Sequence, residues 1–178
     1  EERIITLSKI HELVAHTVNT SENVEELCQR ILDGLGENMK IDGGGIMLYT
    51  KDEDRFKWVA YLGFASKFMQ RLKEKRKEEI SYAAIARLTL EKGASIFVDD
   101  VETFEHISYA RDLYREFEIN SVFSVPLIIR RNILGVIQIV AVKDKKISEE
   151  DREVLEIISN EIAAGVTKLH AEEDLKSA

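Results

Sequence analysis

One thiol, the carboxylate pair that ends the run before residue 99, one triple glycine and one amide inside an apolar run are the places where chemistry can reside in this chain. Cys28 is the only cysteine, so it can make no internal disulfide and no multi-thiolate metal site. Its neighbours Val24, Leu27, Ile31 and Leu35 recur at helical spacing, which predicts a buried, inert thiol. A redox role, the alternative, needs an electropositive neighbourhood that lowers its pKa. Asp99 and Asp100 can act as an acid pair, but no histidine, serine or metal cluster is tied to them by local spacing. Their position after the run Ser95–Val98 reads as a strand-ending turn. Gly43-Gly44-Gly45 invites a phosphate cradle, yet no Gly-Lys-Ser/Thr follows, and the glycines read as a tight passage into the strand IMLYT. Gln138 is more telling. Its amide sits in ILGVIQIVAV, and a buried polar group without a partner costs about 1 to 3 kcal/mol. It can contact a ligand, bridge to Ser124, or bond a bulged backbone near Pro126.

Gln138 is positioned by two neighbouring strands, SVFSVPLII and ILGVIQIVAV, joined at Arg130-Arg131-Asn132. Both are almost wholly apolar and rich in Val and Ile, the pattern of strands covered on both faces. The short polar link predicts a hairpin, with Asn132 as the residue that tolerates positive φ. Gly135 interrupts the second strand and implies a bulge or a close backbone neighbour. Pro126, the only proline, requires the first strand to be at an edge, bulged, or short of a partner at that point.

Around this hairpin the chain alternates helices and strands. Leu7, Ile10, Val14 and Val18 predict a first amphipathic helix, and Asn19, Thr20 and Ser21 break it and offer the cap of the next. RFKWVAYLG predicts a strand with Phe56, Trp58, Ala60 and Leu62 on one face. Phe64, Phe68 and Leu72 are spaced by four on a charged helix. Its lysines and arginines are interleaved with Glu74, Glu78 and Glu79, which favours a solvated helix face over a nucleic-acid surface. A second short helix carries Ile85, Ala86 and Leu90 and ends at Gly93. A further helix is predicted over 103–117, and Ser148-Glu149-Glu150-Asp151 has the form of a capping box before a last helix with Val154, Leu155, Ile158, Ile162, Val166 and Leu169.

Composition sets the outer bounds. Apolar content of 44% with nine glycines argues a globular domain, and no apolar run approaches the roughly 18 to 20 residues of a membrane span. A net charge of −8 disfavours nonspecific binding to nucleic acid or anionic lipid, while leaving room for a small anion held locally. The start at Glu1, the lack of a signal-peptide pattern and the polar helical end read as a fragment of a cytoplasmic protein.

The layout is α+β, an antiparallel sheet with helices on both faces. Here the residues resemble the GAF domain, the small-molecule-sensing module of signalling proteins. The resemblance is carried by Asp42 leading into Gly45-Ile46-Met47-Leu48, by Ala60-Tyr61-Leu62-Gly63, and by Gly93 to Val101. It is carried most specifically by Ser121-Val122-Phe123-Ser124-Val125-Pro126-Leu127 in tandem with Ile133-Leu134-Gly135-Val136-Ile137-Gln138. One departure is Glu78-Glu79-Ile80-Ser81-Tyr82, where family members often carry a glycine before the pocket helix. A PAS-like domain, with a related sheet, is the alternative fold.

The resemblance implies a GAF/PAS-like antiparallel β-sheet with terminal helices on one face and pocket-forming helices on the other. Residues 1–20 are then an N-terminal linker or dimerisation helix, 21–170 the domain, and 171–178 the start of a C-terminal linker helix. It implies a non-enzymatic sensor that binds an unidentified small molecule. The terminal helices would pair in a homodimer and relay occupancy to an attached kinase, cyclase or transcription activator, as in two-component systems. The residues expected to border one cavity are Trp58, Phe97, Asp99, Ser124 and Gln138. Val142-Lys143-Asp144-Lys145 lacks the Asn-Lys-x-Phe-Asp motif of cyclic-nucleotide binders, Cys28 is on a core helix and not in a bilin pocket, and one cysteine cannot run the disulfide cycle of the methionine-sulfoxide-reducing members. His106 is the only histidine in the pocket region, with His11, His16 and His170 on terminal helices, so no cofactor is assigned. The alternatives are a GAF-shaped dimerisation scaffold with a collapsed pocket and a Cys28-dependent oxidoreductase.

Overall fold

The computed structural model describes residues 2–39, 41–75, 84–105 and 111–177. Among them the chain forms helices α1 (Glu2–Thr20) and α2 (Val24–Met39), strands β1 (Gly43–Thr50) and β2 (Arg55–Gly63), helices α3 (Ala65–Lys75) and α4 (Ala84–Lys92), strand β3 (Ile96–Val98), helix α5 (Arg111–Glu116), strands β4 (Ile119–Ile129) and β5 (Asn132–Val142), and helix α6 (Glu149–Ser177). The five strands make one antiparallel sheet in the order β2-β1-β5-β4-β3. The fold is α+β, as the residue pattern predicts.

β5 is the central strand, and its continuous apolar run follows from cover on both faces. Leu127 and Leu48 both stand opposite Gly135, and a Cβ there would lie 2.1 Å from the Met47 carbonyl oxygen, so the glycine answers a close backbone neighbour. β3 pairs only with Val122–Ser124, so β4 has no strand on that side at Pro126, where a missing N–H costs no ladder bond. The hairpin tip differs from expectation. Arg130 and Arg131 carry the positive φ values, 49° and 69°, while Asn132 already belongs to β5. A two-residue turn between twisted strands needs positive φ at both of its own positions, whatever residues occupy them.

α1, α2 and α6 cover one face. Ile10 and Val14 of α1, Leu27, Ile31 and Leu35 of α2, and the stripe from Val154 to Leu169 of α6 are buried against Phe123, Val125, Leu127, Ile137 and Ile139. Each such side chain contributes about 1.5 to 3 kcal/mol, so packing outweighs any single cap here. His11 of α1 meets Glu161 of α6. α6 starts where predicted, with the Asp151 N–H donating to Ser148 Oγ at 3.1 Å. The α2 cap is instead Asn23, whose Oδ1 accepts from the Glu26 N–H at 2.8 Å, and Ser21 Oγ accepts from Arg30.

α3, α4 and α5 lie on the other face. Gly93, at φ 61°, donates its N–H to the Thr89 carbonyl and ends α4. The helix expected over 103–117 is shorter. A 3-10 turn at Val101–Thr103 gives way to extended backbone at Phe104, residues 106–110 lie outside the described residues, and α5 begins at Arg111. Two expectations for β1 and β2 change. Gly43, Gly44 and Gly45 are paired residues of β1 rather than a passage before it. In β2 the register jumps from Ile46↔Ala60 to Met47↔Trp58, leaving Val59 as an extra residue. That bulge inverts the side-chain alternation, so Phe56 and Trp58 face the α3/α4 side while Ala60 and Leu62 join the core under α2 and α6.

Candidate ligand-binding cavity

The inverted alternation sends Trp58 toward α3, where it stacks on Tyr61 with ring centroids 5.4 Å apart and planes within 4°. The indole lies directly over β1. A Cβ at Gly45 would be 2.0 Å from Trp58 Cζ3, so only glycine leaves space for the ring at that position. Across from it, Phe68 of α3 packs on Tyr114 of α5 at 5.2 Å and edge-on to Phe117 at 5.5 Å. Between these rings and the sheet is a cavity of about 50 Å³, lined by Trp58, Phe64, Phe68, Tyr114, Val122 and Gln138 among others. Burial raises the pKa of the Tyr61 phenol, which keeps it neutral behind the indole.

Gln138 meets this cavity through a directed chain of hydrogen bonds. Thr89, fully buried on α4, donates its one hydroxyl proton to the Ile85 carbonyl at 2.7 Å. Its contact with Ser124 Oγ, also 2.7 Å, therefore takes the Ser124 proton. Ser124 in turn can only accept, which it does from Gln138 Nε2 at 3.3 Å. The amide is thereby oriented by its neighbours, with Oε1 left without a partner among the described residues. The bridge from Gln138 to Ser124 is one of the three partners open to it on sequence grounds.

The residues expected to share one cavity are divided. Trp58 and Gln138 line it, and Ser124 lies one hydrogen bond behind Gln138. Phe97 is on the opposite face. It stands directly across from Phe123 on β4, packs edge-on to it at 6.2 Å, and carries the Arg152 guanidinium of α6 4.0 Å above its ring. Paired residues share a face, so Phe97 follows Phe123 toward the terminal helices, and Ile96 and Val98 take the α4 side. Asp99 is exposed, with its carboxylate 3.4 Å from Lys146 and its carbonyl accepting from the same ammonium at 2.8 Å. Asp100 caps the following 3-10 turn by accepting from the Glu102 N–H. His106 and Glu78–Tyr82 lie outside the described residues. The Cys28 thiol is fully buried, and burial followed by the nearby Glu25 charge pushes its pKa up to about 12.

Thr89, Phe64, Phe68 and Tyr114 were not expected at the site. Thr89 had a signal, as the one hydroxyl in the apolar run of α4. The aromatic residues had none, because helical spacing marks a buried face without saying what it faces.

A larger open groove, about 1050 Å³, runs past the start of α2 and the end of α6 and includes Val24, Leu48, Val59, Arg131, His170 and Glu173. Its polar groups are partly spent on each other: Glu173 accepts from the Val24 N–H at 2.9 Å and Lys57 pairs with Glu25 at 3.0 Å. The smaller cavity, walled by rings and bordered by an amide whose oxygen has no partner among the described residues, is the better candidate.

The family model described as "GAF domain" matches residues 21–167. No curated protein matches the chain in sequence. Among solved structures, the GAF domain of a phosphoenolpyruvate-protein phosphotransferase from Acinetobacter is 16% identical with a TM-score of 0.73, over 98% of each chain. A free methionine-R-sulfoxide reductase from Neisseria meningitidis, in complex with its substrate, is 13% identical with a TM-score of 0.71, over 97% of this chain and 94% of that one. A domain of a two-component sensor histidine kinase protein from Sinorhizobium meliloti is 15% identical with a TM-score of 0.67, over 89% of this chain and all of that one. At such identities the likeness is one of fold.

Proposed function

We propose a function from one premise: this chain belongs to the GAF domain family. It is a non-enzymatic sensory and regulatory module whose cavity, bordered by Trp58 and Gln138, takes a small molecule. Occupancy is relayed through α1 and α6, which pair with a second copy, to an attached output domain in the cytoplasm. The observation that carries this reading is the alternation along β5. Gln138 faces the cavity, while Ile137 and Ile139 on either side of it pack beneath the terminal helices. A displacement of Gln138 is thus a displacement of β5, which its pairing with β4 passes to the strand on which α6 rests. The relay works only if the ligand binds two arrangements of the helices unequally, since equal affinity shifts nothing.

The same fold occurs in a reductase, so the non-catalytic reading rests on this chain's own residues. Cys28 is the only thiol, it is fully buried, and its raised pKa keeps it protonated. Among the described residues no helix is long and apolar enough to cross a membrane.

Native mass spectrometry of the purified chain tests the proposal. Added mass that leaves on denaturation supports a retained ligand, and a dimer peak supports pairing through the terminal helices. Bare monomer that gains no mass from a small-molecule library would overturn the reading. A second reading, a dimerisation scaffold without a ligand, is favoured by the small cavity volume of about 50 Å³. It expects bare mass with a stable dimer.

A further inference from the structure

The geometry points to a small alkylammonium ion as the class of ligand held between Trp58, Phe64, Phe68 and Tyr114, with its N–H donating to Gln138 Oε1. The inference rests on the sensory reading above and adds the chemistry of the ligand.

Three features select this class. Ring faces are the negative side of an aromatic quadrupole, and four rings border the cavity, a surface that attracts a cation more strongly once water is excluded. The single amide there is committed as a donor to Ser124, because Thr89 spends its proton on Ile85 and Ser124 spends its own on Thr89. What remains is a carbonyl oxygen, an acceptor that a ligand must meet with a donor. No charged side chain lines the cavity among the described residues, so a carboxylate or phosphate would be stripped of water with no cation to receive it. The net charge of −8 favours approach of a cation over an anion.

Trp58 is the only tryptophan in the chain, so its emission reports occupancy of this cavity without a label. The test is a fluorescence titration of the 178-residue chain with trimethylammonium, tetramethylammonium, tert-butanol and acetate. The expected result is a saturable change with both ammonium ions and none with acetate. Trimethylammonium, which carries the N–H, binds about tenfold or more tighter than tetramethylammonium. Tert-butanol, similar in shape but uncharged, binds at least tenfold more weakly than trimethylammonium. In Gln138→Leu the advantage of trimethylammonium disappears, while tetramethylammonium still binds. Equal binding of tert-butanol, saturable binding of acetate, or no response to either ammonium ion overturns the class. Those outcomes leave the sensory reading standing if native mass spectrometry finds another retained ligand, so the two fail separately.

Discussion

Thr89 Oγ1 and Ser124 Oγ lie 2.7 Å apart across the contact of α4 with β4, both side chains fully buried. The contact is the middle link of the chain from Gln138 to the Ile85 carbonyl, and it joins the central part of the sheet to α4. Replacing one partner strands the other in an apolar interior. Thr89→Val is expected to cost about 1 to 3 kcal/mol, because the Ser124 hydroxyl loses its acceptor. Thr89→Val with Ser124→Ala is expected to cost less than the sum of the two single changes. Urea unfolding of the four proteins measures both. Strict additivity would mean that the two hydroxyls do not interact.

The hairpin tip stores strain. Arg130 and Arg131 both adopt left-handed backbone, which costs an ordinary side chain roughly 1 to 2 kcal/mol per residue. Arg130→Asn with Arg131→Gly supplies the residues this turn prefers and is expected to stabilise the domain by about 1 kcal/mol, a rise of roughly 2 to 4 °C in Tm. An unchanged or lower Tm would show that the arginines hold the turn by other means.

Two glycines in neighbouring strands are expected to respond differently to alanine. At Gly135 the new methyl meets the Met47 carbonyl oxygen at 2.1 Å, and the backbone of β1 cannot move away without breaking its pairing with β5. The expected cost is about 4 kcal/mol or more. At Gly45 the methyl meets the Trp58 ring, a side chain that can turn, so about 1 to 3 kcal/mol is expected. Gly45→Ala should also move the tryptophan emission maximum. Denaturant unfolding followed by fluorescence gives both readings, and equal costs would contradict this account.

Cys28 is expected to be silent in the folded protein. A thiol raised to about 12 stays protonated and unreactive toward iodoacetamide at pH 8, and reacts only after unfolding. The same shift gives a pH dependence. The folded pKa lies above the unfolded one, so this contribution to stability is whole below about pH 9 and is lost as pH rises toward 12. Cys28→Ser should remove that alkaline loss, and the slope of unfolding free energy between pH 8.5 and ~10.5 measures it.

Phe97 provides a control for the position of the site. Phe97→Ala removes the ring beneath Arg152 and is expected to destabilise by about 2 kcal/mol, yet leave trimethylammonium binding unchanged. Phe68→Ala, on the cavity side, is expected to weaken binding. Loss of binding in Phe97→Ala at temperatures where it remains folded would contradict the division of faces.

Much of this was legible in the chain because it depends on short-range pattern. The runs of β4 and β5 declare cover on both faces, and the stripes of α1, α2 and α6 declare which side of each helix is buried. Gly93 and Ser148 mark helix ends whose hydrogen bonds reach only a few residues. Pro126 and Gly135 announced a missing strand and a close neighbour, and β3 and Met47 supply them. The candidate site was half visible: Trp58, Ser124 and Gln138 gather on one face, and Phe97 and Asp99 do not.

The sequence by itself determined the α+β class, the hairpin of β4 and β5, and the burial of Cys28, because each follows from residue types repeated along one element, and it determined the family through short motifs that each lie within a few consecutive residues. Only the tertiary structure decided which face a residue serves. Val59 is a bulge because β1 and β2 pair in a register that no local pattern states, and that one extra residue sends Trp58 to the cavity and Ala60 to the opposite core. Phe97 follows Phe123 because two distant segments pair directly. The direction of the Gln138 amide depends on Thr89, which is 49 positions away in the chain and reaches it through Ser124. Periodicity counts positions along a strand, whereas facing and hydrogen-bond direction are set by the partners that strand meets.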